Sequence, residues 1–363
     1  MVDVPIADWA IGEQLASLVR DVFEVEDITV TREPARGIRL RGHLLTSSDY
    51  AYDVMWRRFR DMGYTPLLRQ DGASHVVMAV PGRMPRQIAT KPWVPALLLV
   101  LTIASVMYIG AAMNADPLRG LRLADGIPFA ASLIAILGCH ELGHYFAARR
   151  VGTPVTLPYF IPMPIPPFGT MGAFIQMKGP TRSRRDLLKI AVAGPLSGLA
   201  VAIPVLIWGL AHSNVEPLPP GGYILEGNSL LYAALKILIF GRFLPSGGVD
   251  VMLHPVAFAG WAGLLVTGLN LIPAGQLDGG HIAYALLGRR AQYLTMAIIG
   301  ILVALGFVWN GWWLWAFLIY LFSRTQASPL DEVTELTPPQ RWLAIGMAIL
   351  FVLVFVPVPL TVH

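Results

Sequence analysis

Two imidazoles and a carboxylate stand inside a stretch whose other side chains are suited to lipid. Residues 127–148 are almost wholly apolar, yet they carry His140, Glu141 and His144 in the run H-E-L-G-H, closed by Arg149-Arg150. Ionisable groups in an apolar span are costly and mark a functional site by default. A helix satisfies its own backbone polar groups in lipid, and on a helix residues i and i+4 share a face. His140 and His144 can therefore reach one ion. Glu141 then lies where it can serve as general base toward an activated water.

The same segment sets the class of the chain. Of 363 residues 55% are hydrophobic and 14% charged, the composition of a polytopic α-helical membrane protein. The net charge of +4 is modest, and the basic residues stand at the ends of apolar runs. They act as topology determinants and form no nucleic-acid patch. The single cysteine, Cys139, excludes an internal disulfide. It is read as a small apolar filler, with a ligand or redox role beside His140 as the alternative. The first residues are acidic and mixed, without the basic start and apolar core of a cleavable signal peptide.

Residues 1–85 read as a soluble α+β domain in the order α-β-β-α-β-β, on the cytoplasmic side. A helix is expected over 11–23, strands over 27–31 and 37–45, a helix after a Ser47 N-cap to Asp61, and a hairpin over 64–80. The domain holds no cluster of catalytic residue types, and a regulatory role is inferred from position alone. Residues 86–92 form a linker, 93–324 the membrane core, and 325–363 a polar loop with a last span. Apolar runs predict about seven spans, at 93–113, 127–148, 187–210, 255–287, 293–308, 311–322 and 342–356. The basic clusters alternate consistently if the N-terminal domain is cytoplasmic. The membrane is then expected to be a prokaryotic cytoplasmic membrane.

Between the second and third runs, six prolines from Pro154 to Pro167 forbid a continuous helix. The stretch 168–177 reads as a glycine-containing extended hairpin, associated with or re-entrant into the membrane. Non-helical backbone there must be buried in protein or line a cavity. A free edge formed by Gly169, Thr170, Met171, Gly172, Ala173 and Phe174 can pair with an extended peptide; a plain interfacial loop is the alternative. In the third run, Gly194-Pro195-Leu196-Ser197-Gly198 offers small residues four apart for close packing against the second.

The fourth run is broken at 270–281, N-L-I-P-A-G-Q-L-D-G-G-H. A carboxylate in an apolar segment needs a cation or a proton. Asp278 is thus the natural third ligand of a zinc site with one open position. Its neighbouring glycines are expected to let backbone and metal approach closely. Asn270 is a candidate to stabilise an oxyanion or, equally, to cap the broken helix. His281 is either a partner of the ligands or an ordinary packing residue. His254-Pro255 marks a helix start.

H-E-L-G-H in one membrane helix, with N-L-I-P-A-G-Q-L-D-G-G in a later one, resembles the site-2 protease family of intramembrane zinc metalloproteases, peptidase family M50. The runs P-Y-F-I-P at 158–162 and G-T-M-G-A-F-I-Q at 169–176 resemble its branch from cyanobacteria and chloroplasts, with related bacterial forms. The likeness covers residues 93–324. It implies that His140, His144 and Asp278 bind one zinc ion and that Glu141 activates water. It also implies cleavage of a peptide bond in or near a substrate's transmembrane segment, with a transmembrane protein as substrate and a membrane-anchored regulator as partner. The chain departs from the family at Gly275, where some branches have proline, and it lacks a PDZ-like insertion. The rival classes are an ion transporter, for which no inverted repeat is detectable, and a silent scaffold or chaperone, for which the ligand set should be damaged.

Overall fold

The structure, a computed structural model, describes residues 6–31, 37–82, 91–113, 120–323 and 328–362. It divides into two compact units.

The first unit is built on α1 (Ile6–Val19), β1 (Phe23–Thr31), β2 (Gly37–Leu44), α2 (Ser48–Asp61), β3 (Tyr64–Asp71) and β4 (Ser74–Pro81). The strands make one antiparallel sheet in the order β1-β2-β4-β3. The expected order of elements is found, with β1 longer than the run that suggested it. Ser47 takes the N-cap position of α2, but its side chain accepts no cap hydrogen bond. Leu15, Phe23, Leu40, Met55, Phe59 and Leu68 are fully buried between helices and sheet.

This unit takes in more chain than residues 1–85, because it also contains Gly179–Leu187 and Ala327–Thr337. The reason lies in a polar-looking loop that carries a few apolar side chains: Leu330 is buried in the core just described, and Val333 packs against it. The backbone follows. Leu68 donates to the Leu330 carbonyl at 2.9 Å and accepts from Glu332 at 3.1 Å, while Leu330 and Asp331 donate to Thr181 and Arg182. These bonds cover the outer edge of β3, which would otherwise be an unpaired template.

The second unit holds α3 (Trp93–Met113), α4 (Ile127–Arg150), β5 (Tyr159–Pro162), β6 (Thr170–Phe174), the greater part of α5 (Arg184–Ala211), β7 (Asn214–Pro217), β8 (Ile224–Glu226), α6 (Leu230–Phe240) and β9 (Val249–Met252). After these come α7 (Pro255–Asn270), α8 (Asp278–Leu287), α9 (Ala291–Leu305), α10 (Gly311–Ser323), α11 (Pro338–Val354) and β10 (Leu360–Val362). Among the described residues four helical stretches are long and apolar enough to cross a membrane: Trp93–Met113, Leu123–Arg150, Arg184–Ala211 and Asp278–Leu305. Hydropathy alone counts about seven because it ignores breaks. α7, α10 and α11 are apolar but shorter than 18 residues, below the ~20 that span a bilayer unaided.

One local expectation is corrected. The hairpin is not contained in 168–177. That stretch supplies β6, whose antiparallel partner is β5 from the proline-rich run; Pro162 lacks an N–H and is tolerated in so short a two-stranded ribbon. The polar excursion after α5 holds strands as well as the helix α6. It pairs β7 with β9 and β8 with β10, which satisfies backbone groups beside an apolar region. Most of the expected linker, residues 83–90, and Arg324 lie outside the described residues.

Candidate metal centre

α4 begins with a proline in its first turn and ends at Arg149 and Arg150, cations that suit the negative end of the helix dipole. Its buried face runs through Leu133, Ile136, Leu137, His140, Glu141, His144 and Ala148, while Leu142 and Phe146 are exposed. The two histidines therefore point inward together, as their spacing requires.

α7 starts at Pro255, with the His254 ring accepting from the Val256 N–H at 3.2 Å, the start that the dipeptide indicates. It ends at Asn270. The chain then turns through 271–277 and re-enters a helix at Asp278. A Cβ on Gly279 would lie 2.1 Å from the Leu271 carbonyl oxygen, and one on Gly280 2.3 Å from that of Gly275. These glycines admit the turn's own backbone, not a metal. They let the first turn of α8 lie against 271–275 and so aim Asp278 toward α4.

The aim is close. The His140 and His144 Nε2 atoms are 3.2 Å apart. Asp278 Oδ2 is 3.2 Å from the first, and Oδ1 is 3.2 Å from the second. His144 donates its Nδ1–H to the Ile190 carbonyl at 2.8 Å, which leaves the Nε2 lone pair facing the cluster. Two imidazole nitrogens and a carboxylate this near each other can share a cation. A tetrahedral ion with bonds of about 2.0–2.1 Å spaces its ligands at about 3.3–3.4 Å. The donor set, its burial and its spacing fit zinc.

Asn270 brings its side-chain amide within 3.4 Å of His140 Nε2, so it faces the cluster instead of serving only the helix end. The Ile175 backbone hydrogen-bonds Glu141, directly after β6. The hairpin itself is fixed from outside: β5 packs chiefly on α3 and β6 on α4, and Ser105 donates to the Gly169 carbonyl at 2.6 Å. Along β6, Met171 and Phe174 are exposed while Thr170 is buried. The Thr170 hydroxyl accepts from the Gly172 N–H at 3.0 Å, which takes one backbone donor of the strand. Cys139 is half-buried and, like His281, is not among the converging ligands. The His281 Nδ1 has no hydrogen-bond partner among the described residues.

Sequence reasoning missed the Ile190 carbonyl, because a backbone acceptor leaves no trace in residue type. The expected packing of G-P-L-S-G against the second apolar run is found, as a Cβ on Gly198 would lie 3.1 Å from the His140 ring.

Comparison with known proteins agrees with this site. The family model described as Peptidase family M50 matches residues 128–309, a span containing both motifs. Probable zinc metalloprotease EGY2, chloroplastic, of Arabidopsis thaliana is 32% identical over 368 residues, covering 96% of this chain and 65% of the relative. The Oryza sativa subsp. japonica protein of the same name is 32% identical over 364 residues, covering 93% and 65%. Probable zinc metalloprotease EGY1, chloroplastic, of Arabidopsis thaliana is 31% identical over 242 residues, covering 64% and 43%. The chain thus spans about two thirds or less of the length of these relatives. No solved structure matches it. The paired motifs, the three ligands that the fold brings together and a family match over half of its length lead to one conclusion: the chain belongs to peptidase family M50, the site-2 protease family of zinc metalloproteases.

Proposed function

We propose that this protein is an intramembrane zinc metalloprotease that hydrolyses a peptide bond within or near the transmembrane segment of a membrane-protein substrate. The observation that carries the reading is the convergence of His140, His144 and Asp278 on one buried point, with Glu141 on the same helix face. His140, His144 and Asp278 would hold the ion, and the Ile190 carbonyl holds the His144 ring in the orientation that offers Nε2. When bound, zinc supplies Lewis acidity toward the scissile carbonyl and acidifies a water. Glu141 would act as general base, taking a proton from the attacking water and returning it to the leaving amine. Asn270, at 3.4 Å from His140 Nε2, donates to the oxyanion.

A helical substrate hides its carbonyls in its own hydrogen bonds, so it must unwind before attack. The exposed strand pairs with Gly169–Phe174; support comes from the course of β6 along α4 and from the Ile175 contact at its end with Glu141. The shorter apolar helices α7, α10 and α11 complete about seven crossings by packing together. The protein is integral to a membrane. We place it in a prokaryotic cytoplasmic membrane with the first unit on the cytoplasmic side, on the basic clusters; the relatives named above are chloroplastic. A membrane-anchored regulator is the expected partner besides the substrate.

The test is the purified full chain in lipid with a labelled single-span substrate. Cleavage that is abolished by Glu141→Gln and by chelation, and restored by zinc, supports the reading. Cleavage undiminished in Glu141→Gln would refute it.

A further inference from the structure

The turn that presents Asp278 is tied to a helix that brings no ligand to the metal centre. Between α7 and α8 the chain runs through 271–277. Several of its backbone donors are satisfied close by: Leu271 donates to Thr267, Ile272 to Leu269 and Ala274 to Ile272. Pro273 has no N–H to give. Gly275 reaches further, since its N–H donates to the hydroxyl of Thr295 on α9 at 3.3 Å.

α9 is an apolar helix in which Thr295 is 7% exposed. A buried hydroxyl is costly without a partner, and a helical threonine can bond the carbonyl four residues earlier. Here its oxygen accepts from another element. The donor is held as firmly as the acceptor. Gly275 stands at a φ of +59°, a left-handed conformation open to glycine, and a Cβ there would lie 3.3 Å from Ile319 of α10.

The other anchorage of the turn is apolar. Ile272 and Ala274 are buried in a cluster with Leu302 of α9 and with Trp312 and Ile319 of α10. Such packing is non-directional, so it keeps the turn on these helices without fixing its rotation. The Gly275 hydrogen bond supplies the direction. It is passed on at short range, because a Cβ on Gly280 would lie 2.3 Å from the Gly275 carbonyl oxygen, and the first turn of α8 therefore rests on this residue. Asp278 stands in that first turn, 3.2 Å from each imidazole. Ligand distances in a metal site hold to within about 0.2 Å, so a small rotation of the turn is enough to spoil the set.

We propose that Thr295 is a positioning residue of the metal centre: its hydroxyl holds the Gly275 N–H and thereby sets the reach of Asp278 toward the ion. The proposal rests on the metal-dependent reading given above and adds to it a residue that lies outside the converging ligands.

The experiment measures the zinc affinity of the full chain in lipid nanodiscs by competition with a chromogenic chelator, beside the melting temperature of the metal-free protein. Thr295→Val keeps the shape of the side chain and removes the acceptor. It should bind zinc about tenfold more weakly, within the range for lost support of a ligand. Thr295→Ser restores the acceptor and should stay within about twofold of the unsubstituted chain. In the Asp278→Asn background the valine substitution should add less than about twofold, since its effect passes through that carboxylate. Affinity of the valine variant within twofold of the unsubstituted chain, a serine variant as weak as the valine one, or an equal loss in Asp278→Asn each overturns the proposal. Thr295→Ala repeats the comparison without a methyl against the Gly275 N–H, so a valine variant that fails to fold still leaves a deciding result. An unsubstituted chain that binds no zinc sinks the metal-dependent reading and this inference with it; tight binding indifferent to residue 295 sinks this inference alone.

Discussion

A Cβ on Gly194 would lie 2.0 Å from the Nε2 of His144, far inside the ~3.5–4.0 Å separation of unbonded heavy atoms. α5 thus presents to the metal ligand a surface with no side chain at all. Ordinarily Gly→Ala within a helix stabilises by about 1 kcal/mol, but here the added methyl overlaps a buried imidazole, an overpacking that costs about 1–3 kcal/mol. The expected outcome for Gly194→Ala is a lowered melting temperature, with bound zinc and activity both reduced by about 10–100-fold, the range seen when support of a metal ligand is lost. Gly300→Ala, on α9 with nothing within 4 Å of its Cβ, should leave both unchanged. Metal analysis beside a peptide-cleavage assay checks the pair.

Glu141→Gln keeps the shape of the side chain and an acceptor for the Ile175 backbone, but it cannot take up a proton. Zinc content should stay at one per chain while the cleavage rate falls by about 10²–10⁴-fold, the usual contribution of a general base. Loss of zinc in this variant would show that Glu141 holds the ion.

Asp278 brings the one carboxylate of the converging set, held 3.2 Å from each imidazole. Asp278→Asn leaves a neutral oxygen in place of a charged ligand. Zinc affinity, read by competition with a chromogenic chelator, should fall by more than about tenfold, and activity should recover only at high zinc. Equal affinity in the variant would remove Asp278 from the ligand set.

Asp331 makes the first unit pH-sensitive. Burial pushes its carboxyl above the ordinary value of 3.8, only partly offset by hydrogen bonds from Thr334 and Val333. The folded unit therefore binds a proton that the unfolded chain has already released. Its stability is greatest below the unfolded value and declines as pH rises from there through the raised folded value, with a slope approaching about 1.4 kcal/mol per pH unit. Asp331→Asn should abolish this decline. Hydrogen exchange of residues 37–82 in the full chain, followed against pH, measures it; a slope unchanged in the variant would exclude Asp331 as its source.

The residues that converge as a candidate metal site were legible in sequence because each violates the solvent preference of its surroundings. His140, His144 and Asp278 stand in apolar runs, and that cost is visible without coordinates. The elements of the first unit were legible for a related reason, as their apolar periodicity alternates with turn residues. Leu330 and Val333 were not, because a few apolar residues in a polar loop carry no period, and their burial depends on a core made by residues more than 250 positions earlier. Lys236 was hidden in the same way. In an apolar helix it looks like an interruption, and only the return of Glu226 and Asp250 beside it reveals a buried cluster.

What the residues determine by themselves is local: which segments enter lipid, which of them carry ionisable groups, and which face of α4 the two histidines share. The period of the helix and the transfer cost of a charge act within a few residues of each position. What the tertiary structure decided is long-range. It brought Asp278 to within 3.2 Å of His140 across 138 positions, set Ile190 behind His144, paired β5 with β6, and buried Asp250 against Lys236. Such contacts depend on which backbones can approach closely, and that is settled by the bare glycine surfaces of α5 and α8 only once the helices are packed.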